Sequence, residues 1–175
     1  MTHHIRLPHG SAGMTSQAEK ALSDPSLTSQ ERANLELVLT FRKLPLSARS
    51  KYTIDGFRPV RHGMANLAVI NGVTGPGYRG DSIPDRTDEI TGIIAHGDWV
   101  WATWIMRGTH LGELYGIPAT GRTIAVTEVG QWRIQDGLIA EAWFMVDELA
   151  LVRQLGLWPG TPNQAHASND TVKEY

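Results

Sequence analysis

Cysteine is absent from the 175 residues of this chain. The protein therefore forms neither a disulfide nor a thiol-based catalytic centre, and the absence fits a reducing compartment. The amino-terminal sequence lacks the apolar run of a signal peptide, and the chain has no run of about 18 apolar residues that could cross a bilayer. We therefore expect a cytoplasmic protein with no membrane partner.

Neither sign of charge dominates the sequence. Sixteen Lys and Arg stand against 18 Asp and Glu, which gives a formal net charge of −2. This balance lacks the basic surface typical of nucleic-acid binding, so no nucleic-acid partner is expected. No set of His, Asp and Glu has metal-ligand spacing, and neither a phosphate loop nor a nucleophile elbow occurs. The sequence thus predicts no metal and no cofactor.

The first half of the sequence carries helical signals. Thr28 with Glu31 three residues later is a capping-box pattern, which satisfies backbone donors at the start of a helix. Apolar residues then recur at helical spacing, and Pro45 ends the pattern, which predicts a helix over 28–43. Shorter helical segments are predicted near 47–52 and 64–70.

The second half is β-patterned and rich in tryptophan, with five of the six tryptophans between Asp98 and Asp147. Both faces of the segment 99–109 carry large apolar side chains, so we expect both faces to be covered. Asp147 is placed to cap a final helix that Gly156 ends. Strands are predicted at 89–95, 99–109, 122–134 and 139–146, the last two joined by a hairpin turn at Asp136-Gly137.

Helices followed by a meander of long antiparallel strands indicate an α+β fold. We expect a curved antiparallel sheet with the N-terminal helices packed on it, forming a cone with an internal pocket suited to a small molecule. Residues 1–27 show no clear period and are predicted to be an N-terminal extension held by packing. The cone domain is assigned to 28–160 and a C-terminal tail to 161–175.

Residues 71–86 are dense in turn formers. A loop of this length in a compact domain is usually functional or mobile, so we expect it to border the mouth of the pocket. The neighbouring aspartates Asp81, Asp85 and Asp88 are predicted to be solvated.

The segment from residue 97 to 156 resembles the SnoaL-like polyketide cyclase family. The resemblance is carried by G-D-W-V-W-A-T-W-I-M-R-G-T-H-L-G-E-L-Y-G-I-P-A-T-G-R, by W-R-I-Q-D-G-L-I-A-E-A-W and by D-E-L-A-L-V-R-Q-L-G. It covers roughly residues 88–158, and more loosely the helix at 28–43 and the loop around His62. The resemblance implies the nuclear-transport-factor-two-like cone fold.

In the aromatic-polyketide cyclases of that family, an aspartate on the last strand is the general acid/base of an intramolecular aldol closure, and a histidine on the preceding strand assists it. Alignment from R-I-Q-D-G onward places the aspartate at Phe144 and the histidine at Gly130. Neither residue can transfer a proton. The mechanism that the resemblance implies is therefore not carried by the family's usual residues.

The alternation of side chains along the strand favours Glu128 as the catalytic acid or base in place of the missing aspartate and histidine. It shares a strand face with Val126, Gly130 and Trp132, the face that the resemblance turns into the cone. Burial there would raise the pKa of its carboxyl group toward neutrality, which suits a general acid or base. The alternative is a structural glutamate paired with Arg107 or Arg122.

His62 is the second predicted catalytic residue, since relatives often carry a polar pocket residue at that position. With an ordinary pKa of about 6.5, a histidine can serve as acid or base. The alternative is a solvated loop histidine.

Eight further residues are predicted to contact the substrate, although the aromatic ones are equally explained as core. His110 could instead be a structural hydrogen-bonding group, and Arg107 either a salt-bridge partner in the sheet, which we favour, or a holder of an oxyanion. The predicted set is Trp104, Met106, Tyr115, Trp132, Trp143, Phe144, His110 and Arg107.

Three functions remain open. The first is a cofactor-independent enzyme that uses acid/base chemistry on a hydrophobic aromatic or polyketide-like molecule, by aldol-type cyclisation, retro-aldol cleavage, isomerisation or dehydration. The second is a small-molecule-binding or accessory protein that has lost the chemistry. The third is the water activation that related cones perform on epoxides with an Asp-Arg-Asp arrangement, for which the sequence offers no recognisable inward-facing set. Cones of this kind commonly pair through the open sheet face, so we expect a homodimer.

Overall fold

The computed structural model describes residues 12–44, 46–61, 64–72 and 82–157. The elements are α1 (Ala12–Leu22), α2 (Ser29–Lys43), β1 (Val60–Arg61), α3 (Met64–Ile70), β2 (Thr87–His96), β3 (Trp99–Thr109), β4 (Thr123–Gln135), β5 (Leu138–Val146) and α4 (Glu148–Gln154). Two 3₁₀ turns, Leu46–Ala48 and Ser50–Tyr52, lie where a short helix was predicted. Among these residues no helix is long and apolar enough to cross a membrane.

The five strands form one sheet in the order β1-β5-β4-β3-β2. Strands β2 to β5 are an antiparallel meander, and β1 pairs in parallel with β5. The turn between β4 and β5 has positive φ at both Asp136 (51°) and Gly137 (74°), as an Asp-Gly hairpin turn requires. The predicted α+β class and its antiparallel meander are confirmed.

Two elements were not predicted. α1 lies within the residues assigned to an extension, and Ala18, Ala21 and Leu22 pack it against the core. Its apolar side chains are few and mostly small, so the helix gives only a weak periodic signal. β1 is two residues long and lies in a segment predicted to be a loop, where no period can be read.

The helix ends follow their sequence signals. The Thr28 hydroxyl accepts a hydrogen bond from the backbone N–H of Glu31 at 3.2 Å, and the Glu31 carboxylate accepts one from the backbone N–H of Thr28 at 2.9 Å. The Asp147 carboxylate accepts from the backbone N–H of Ala150 at 2.9 Å at the start of α4. The predicted capping box and the predicted N-cap are both confirmed.

The core lies between the inner face of the sheet and α2. Alternate residues of β3 and β4 point inward, and α2 covers them with Leu35, Val38, Leu39 and Phe41. The outer face of β3 is different, since Trp101 there is 43% exposed. The described residues therefore cover one face of β3, and the cover expected over the second face does not come from them.

Glu31 also fastens the β2–β3 turn to α2. Its Oε1 accepts a hydrogen bond from the backbone N–H of Gly97 at 2.9 Å. The hydrogen bonds from Thr28 and Gly97 lower the pKa of Glu31 from 4.5 to about 2. A carboxyl group whose pKa is lower in the folded state stabilises the fold above its unfolded pKa, and this contribution is lost as the pH falls toward the folded pKa.

We expect Glu31→Gln to lower the Tm at pH 7 and to lower it less at pH 3, where the wild-type carboxylate has already lost much of its advantage. Thermal unfolding followed by circular dichroism at the two pH values measures this. The matched control is Glu36→Gln, an exposed position on the same helix, which should change the Tm little at either pH. A Tm decrease for Glu31→Gln that is equal at both pH values would contradict the assignment.

Candidate active site

Glu128 is a buried carboxylate on the inner face of β4, with 4% of its surface exposed. Its Oε2 accepts hydrogen bonds from Trp104 Nε1 at 2.6 Å and from Arg86 Nη2 at 2.8 Å. Its Oε1 has no hydrogen-bond partner among the described residues. The inward orientation expected for Glu128 is therefore observed, but its ionic partner is Arg86 rather than Arg107 or Arg122.

Arg86 joins Glu128 to a second carboxylate. Its Nε and Nη2 donate to the Oδ1 and Oδ2 atoms of Asp88 at 2.9 and 3.2 Å, and Arg42 forms an ion pair with the same Asp88. The prediction that Asp88 is solvated is wrong, because this residue lies on the inner face of β2 between two guanidinium groups. Asp85 is exposed but accepts hydrogen bonds from the backbone N–H and the hydroxyl of Thr109 at 2.6 and 2.7 Å. The third predicted aspartate, Asp81, lies outside the described residues.

Arg42 connects the network to the aromatic core. Its guanidinium carbon lies 3.8 Å from the centroid of the Trp104 ring, a cation–π contact. The pKa of Arg42 is lowered to about 10, mainly by burial and less by the nearby Arg86, against the opposing effect of Asp88. The result is a buried series of contacts that runs from Arg42 through Asp88 and Arg86 to Glu128.

A cavity of about 500 Å³ opens beside this network, between α1, α2 and β2. Arg86 and Asp88 form part of its wall, so Glu128 lies one side chain behind that wall. The cavity size is in the range of small-molecule sites. The apolar part of the lining is Ala18, Leu22, Leu39 and Ile90, and the charged part is Glu19, Arg42, Lys43, Arg49, Arg86 and Asp88.

Three aromatic rings fill the inner face where the family's acid/base pair is expected. The ring centroids of Trp104, Trp132 and Phe144 lie 5.4 to 6.3 Å apart. Gly130 and Phe144 are direct cross-strand partners. A Cβ atom on Gly130 would lie 2.8 Å from Phe144 Cδ1 and 2.9 Å from Trp104 Cη2. The glycine is thus the steric complement of the phenyl ring, and this region is packed rather than open.

Side chains alternate between the two faces of each strand, so the other predicted substrate contacts do not all lie on the inner face. Met106 shares the inner face with Trp104 and is 2% exposed. Arg107 lies on the outer face, where its Nη2 is 3.3 Å from Glu89 Oε2, and Trp143 pairs there with Gln131. Arg107 and Trp143 therefore lie on the face opposite to Glu128, because successive strand residues point to opposite faces, and their substrate contacts stay a prediction. The favoured alternative for Arg107, a salt bridge in the sheet, is observed.

His110 and Tyr115 belong to the connection between β3 and β4. His110 is fully buried, its Nδ1 lies 3.1 Å from Thr120 Oγ1, and burial lowers its pKa. It is six residues from Trp104, or about 20 Å along an extended chain. The Tyr115 carbonyl accepts a hydrogen bond from Asn71 Nδ2 at 2.9 Å. Both residues form contacts that stabilise the segment between β3 and β4, which favours a structural hydrogen-bonding role for His110. His62 lies outside the described residues.

Arg42, Arg86 and Asp88 were missed as site residues, although the sequence carries a signal for each. Arg42 continues the apolar helical series of Leu35, Val38 and Leu39, so it lies on the buried face of α2. Arg86 and Asp88 precede Ile90 at the two-residue spacing of one strand face. A charged residue at a core position predicts a buried counter-charge.

We expect Gly130→Ala to destabilise the protein by about 1–3 kcal/mol, because the added methyl group overlaps the Phe144 ring. Combining it with Phe144→Ala should give less destabilisation than the sum of the two single changes, with a coupling of at least about 0.5 kcal/mol. Urea denaturation measures all three variants.

The control for this cycle replaces the second change by Met145→Ala, an exposed neighbour on the outer face. Gly130→Ala with Met145→Ala should be additive. Additivity in the Phe144 cycle as well would show that the ring does not limit residue 130.

The chain is similar in sequence to known proteins. Residues 80–155 match the family model described as SnoaL-like polyketide cyclase. The chain is similar to the aklanonic acid methyl ester cyclase DauD of Streptomyces sp. (strain C5), with 40% identity over 72 residues, which are 41% of this chain and 45% of that protein. It is also similar to the nogalonic acid methyl ester cyclase of Streptomyces nogalater, with 37% identity over 75 residues, 42% of this chain and 55% of that protein.

The matched region therefore spans about half the length of these curated relatives. Among solved structures, a candidate SnoaL-like polyketide cyclase from Jannaschia sp. CCS1 superposes with a TM-score of 0.61 at 21% identity, covering 77% of this chain and 99% of that one. At that identity the likeness speaks for the fold alone. Together with the family match, these findings confirm the resemblance to the SnoaL-like polyketide cyclase family, carried by residues 80–155.

Proposed function

We propose that this protein is a cofactor-independent enzyme that acts by acid/base chemistry on a hydrophobic aromatic or polyketide-like molecule. The observation that carries the proposal is the buried Glu128 carboxylate, whose Oε1 accepts no hydrogen bond from a described residue and whose Oε2 is held by Arg86 on the wall of a 500 Å³ cavity. The two similar Streptomyces proteins, named as methyl ester cyclases of polyketide acids, favour aldol-type ring closure among the possible reactions.

The reaction that we propose is an isomerisation in which no atom is lost. Glu128 removes a proton from a C–H group adjacent to a carbonyl, and the resulting enolate carbon attacks a second carbonyl carbon of the same molecule. One C–C bond forms, the second C=O π bond breaks, and the new alkoxide takes up a proton. Guanidinium groups beside the cavity stabilise the enolate and alkoxide charges as they develop. The reverse sequence is a retro-aldol cleavage.

His62 is the proposed partner that returns the proton. Leu22, Leu39 and Ile90 are proposed to present the apolar surface of the cavity to the substrate. Rotation of Arg86 away from Glu128 would expose the carboxylate to the cavity.

A second candidate function rests on a specific observation. Asp88, Arg86 and Glu128 form an inward-facing carboxylate–arginine–carboxylate set. The expectation that the chain offers no such set was wrong, because Asp88 had been assigned to a solvated loop. In this reaction one carboxylate takes a proton from water, the water oxygen attacks an epoxide carbon, the C–O bond breaks, and the other carboxyl group protonates the alkoxide.

The homodimer expected from the sequence is also a proposal. Ile94, Trp101, Gln131 and Trp143 form one cross-strand row on the outer face, and Met145 lies on the same face. Ile94 is 65% exposed, and Trp101 and Met145 are each 43% exposed. Contiguous exposed apolar groups of this kind mark association surfaces. We propose that a second copy of this chain covers them.

We expect Glu128→Gln to lower kcat for ring closure of aklanonic acid methyl ester by about 10²–10⁴, the usual contribution of a general base. Gln keeps an acceptor for Trp104 and Arg86, so the far-ultraviolet circular dichroism should not change. The matched control is Glu89→Gln, a carboxylate paired with an arginine on the outer face, which should retain activity.

Unchanged kcat in Glu128→Gln would rule out its proposed role. Tight binding of the ester by wild type without any product would favour the non-catalytic alternative. Incubation of wild type with a cyclic epoxide in ¹⁸O-labelled water, with one labelled oxygen in a diol product, would identify the water-activating reaction instead.

For the dimer, we expect light scattering to give twice the chain mass of 19.3 kDa for wild type and the mass of one chain for Trp101→Glu. A charge at the centre of a buried apolar contact would prevent association. Leu149→Glu on α4, at a position 53% exposed and away from this face, is the control and should remain dimeric. A monomeric wild type, or a dimeric Trp101→Glu, would contradict the proposed interface.

A further inference from the structure

The cavity between α1, α2 and β2 has an unequal charge distribution. Among the described residues of its lining, four side chains are cationic and two, Glu19 and Asp88, are anionic. The deepest of the cations is Arg42, whose side chain is 11% exposed. A cavity wall with more cationic than anionic side chains favours a ligand that carries negative charge.

Arg42 has donors to offer such a ligand. Its Nη2 pairs with Asp88, and its guanidinium plane covers the Trp104 ring. Its Nε and Nη1 donate no hydrogen bond to any residue in the described part of the chain. These nitrogens are not sealed from solvent like the orphaned buried atoms of His110 and Trp132. They lie on different edges of the planar guanidinium group, so each can donate a charge-assisted hydrogen bond to a carboxylate oxygen in the cavity.

The negative charge of Asp88 is shared between two arginines, Arg42 and Arg86. Asp88 is the only described carboxylate that pairs with Arg42, and it also pairs with Arg86 through both of its oxygens. Arg86 and Arg49 lower the pKa of Arg42 after the larger effect of burial, whereas Asp88 and Glu128 oppose them. A bound anion would bring a further counter-charge to Arg42, whereas a neutral ligand would not.

We propose that the cavity binds the carboxylate of an aromatic or polyketide-like acid, with Arg42 as the principal anion-binding residue and Ile90, Leu39 and Leu22 against the hydrocarbon. The inference rests on the proposed function, since it specifies the substrate class of that site. It differs from what the names of the similar cyclases indicate, because those proteins are named for methyl esters, in which the carboxyl group is neutral.

The test compares two ligands that differ only in this charge, anthraquinone-2-carboxylate and its methyl ester. Their dissociation constants are measured at pH 7 by isothermal titration, without any requirement for turnover. We expect wild type to bind the carboxylate about tenfold or more tightly than the ester, as a charge-assisted hydrogen-bonded pair would give. Equal affinity, or a preference for the ester, would overturn the proposal.

Substitutions test whether Arg42 is the residue that gives the preference for the carboxylate over the ester. Arg42→Met keeps the length of the side chain and leaves Asp88 paired with Arg86, and it should abolish the preference for the carboxylate. Arg153→Met, at an exposed arginine on α4, is the matched control and should retain it. If Arg42→Met does not fold by circular dichroism, Arg42→Lys takes its place and should reduce the preference, because a lysine ammonium does not present the separate donors of the planar guanidinium group. A preference unchanged in a folded Arg42 variant would overturn the assignment.

These experiments distinguish a failure of the proposed anion site from a failure of the proposed enzyme activity. A carboxylate preference that depends on Arg42, together with no turnover of any polyketide-like substrate, would sustain the anion site and reject the proposed enzyme. Turnover that depends on Glu128 but no carboxylate preference would reject the anion site and sustain the enzyme.

Discussion

The ion pairs of Asp88 are the interaction on which the interior depends. Asp88 holds Arg42 of α2 and Arg86, which precedes β2, and Arg86 reaches Glu128 on β4. Without Asp88, two guanidinium groups would face each other in a region largely shielded from water, and a single uncompensated buried charge costs several kcal/mol. The same carboxylate therefore fixes the helix, the edge strand and the central strand relative to one another.

Charge and packing divide the inner face into two regions. Near β5, Phe144 lies against Gly130, and the rings of Trp104 and Trp132 complete a dense aromatic cluster. Near β2, arginines and carboxylates line open space. Trp104 belongs to both regions, since its ring contacts Arg42 and Phe144 while its N–H binds Glu128. Relative to the arrangement expected from the family, the polar groups lie toward the opposite edge of the sheet.

Much of the fold could be predicted because its signals are local. Thr28 with Glu31, Asp136-Gly137 and Asp147 each set a boundary through hydrogen bonds or backbone angles confined to a few residues. The inward face of β4 could be predicted as well, because strand alternation is a fixed property of the backbone. α1 could not, since its stability comes from packing against β2 rather than from its own sequence pattern.

The site was harder to predict because its contacts are distant in the sequence. Glu128 could be assigned to the correct face, but its partner Arg86 lies 42 residues earlier and Arg42 more distant still. Sequence spacing constrains neither separation. Arg107 and Trp143 were selected for their chemistry, although strand alternation directs both side chains away from the inner face. The face of the sheet to which a strand position points is a better guide to a site than the type of residue at that position.

The walls of the cavity differ in how they relate to other proteins. Arg86, Asp88 and Ile90 lie inside the stretch that matches the family model, whereas α1, Arg42 and Arg49 lie outside it. The cavity is therefore assembled from a segment with recognisable sequence relatives and a helical segment outside that match. A search guided by residues 80–155 alone reads only part of the cavity wall.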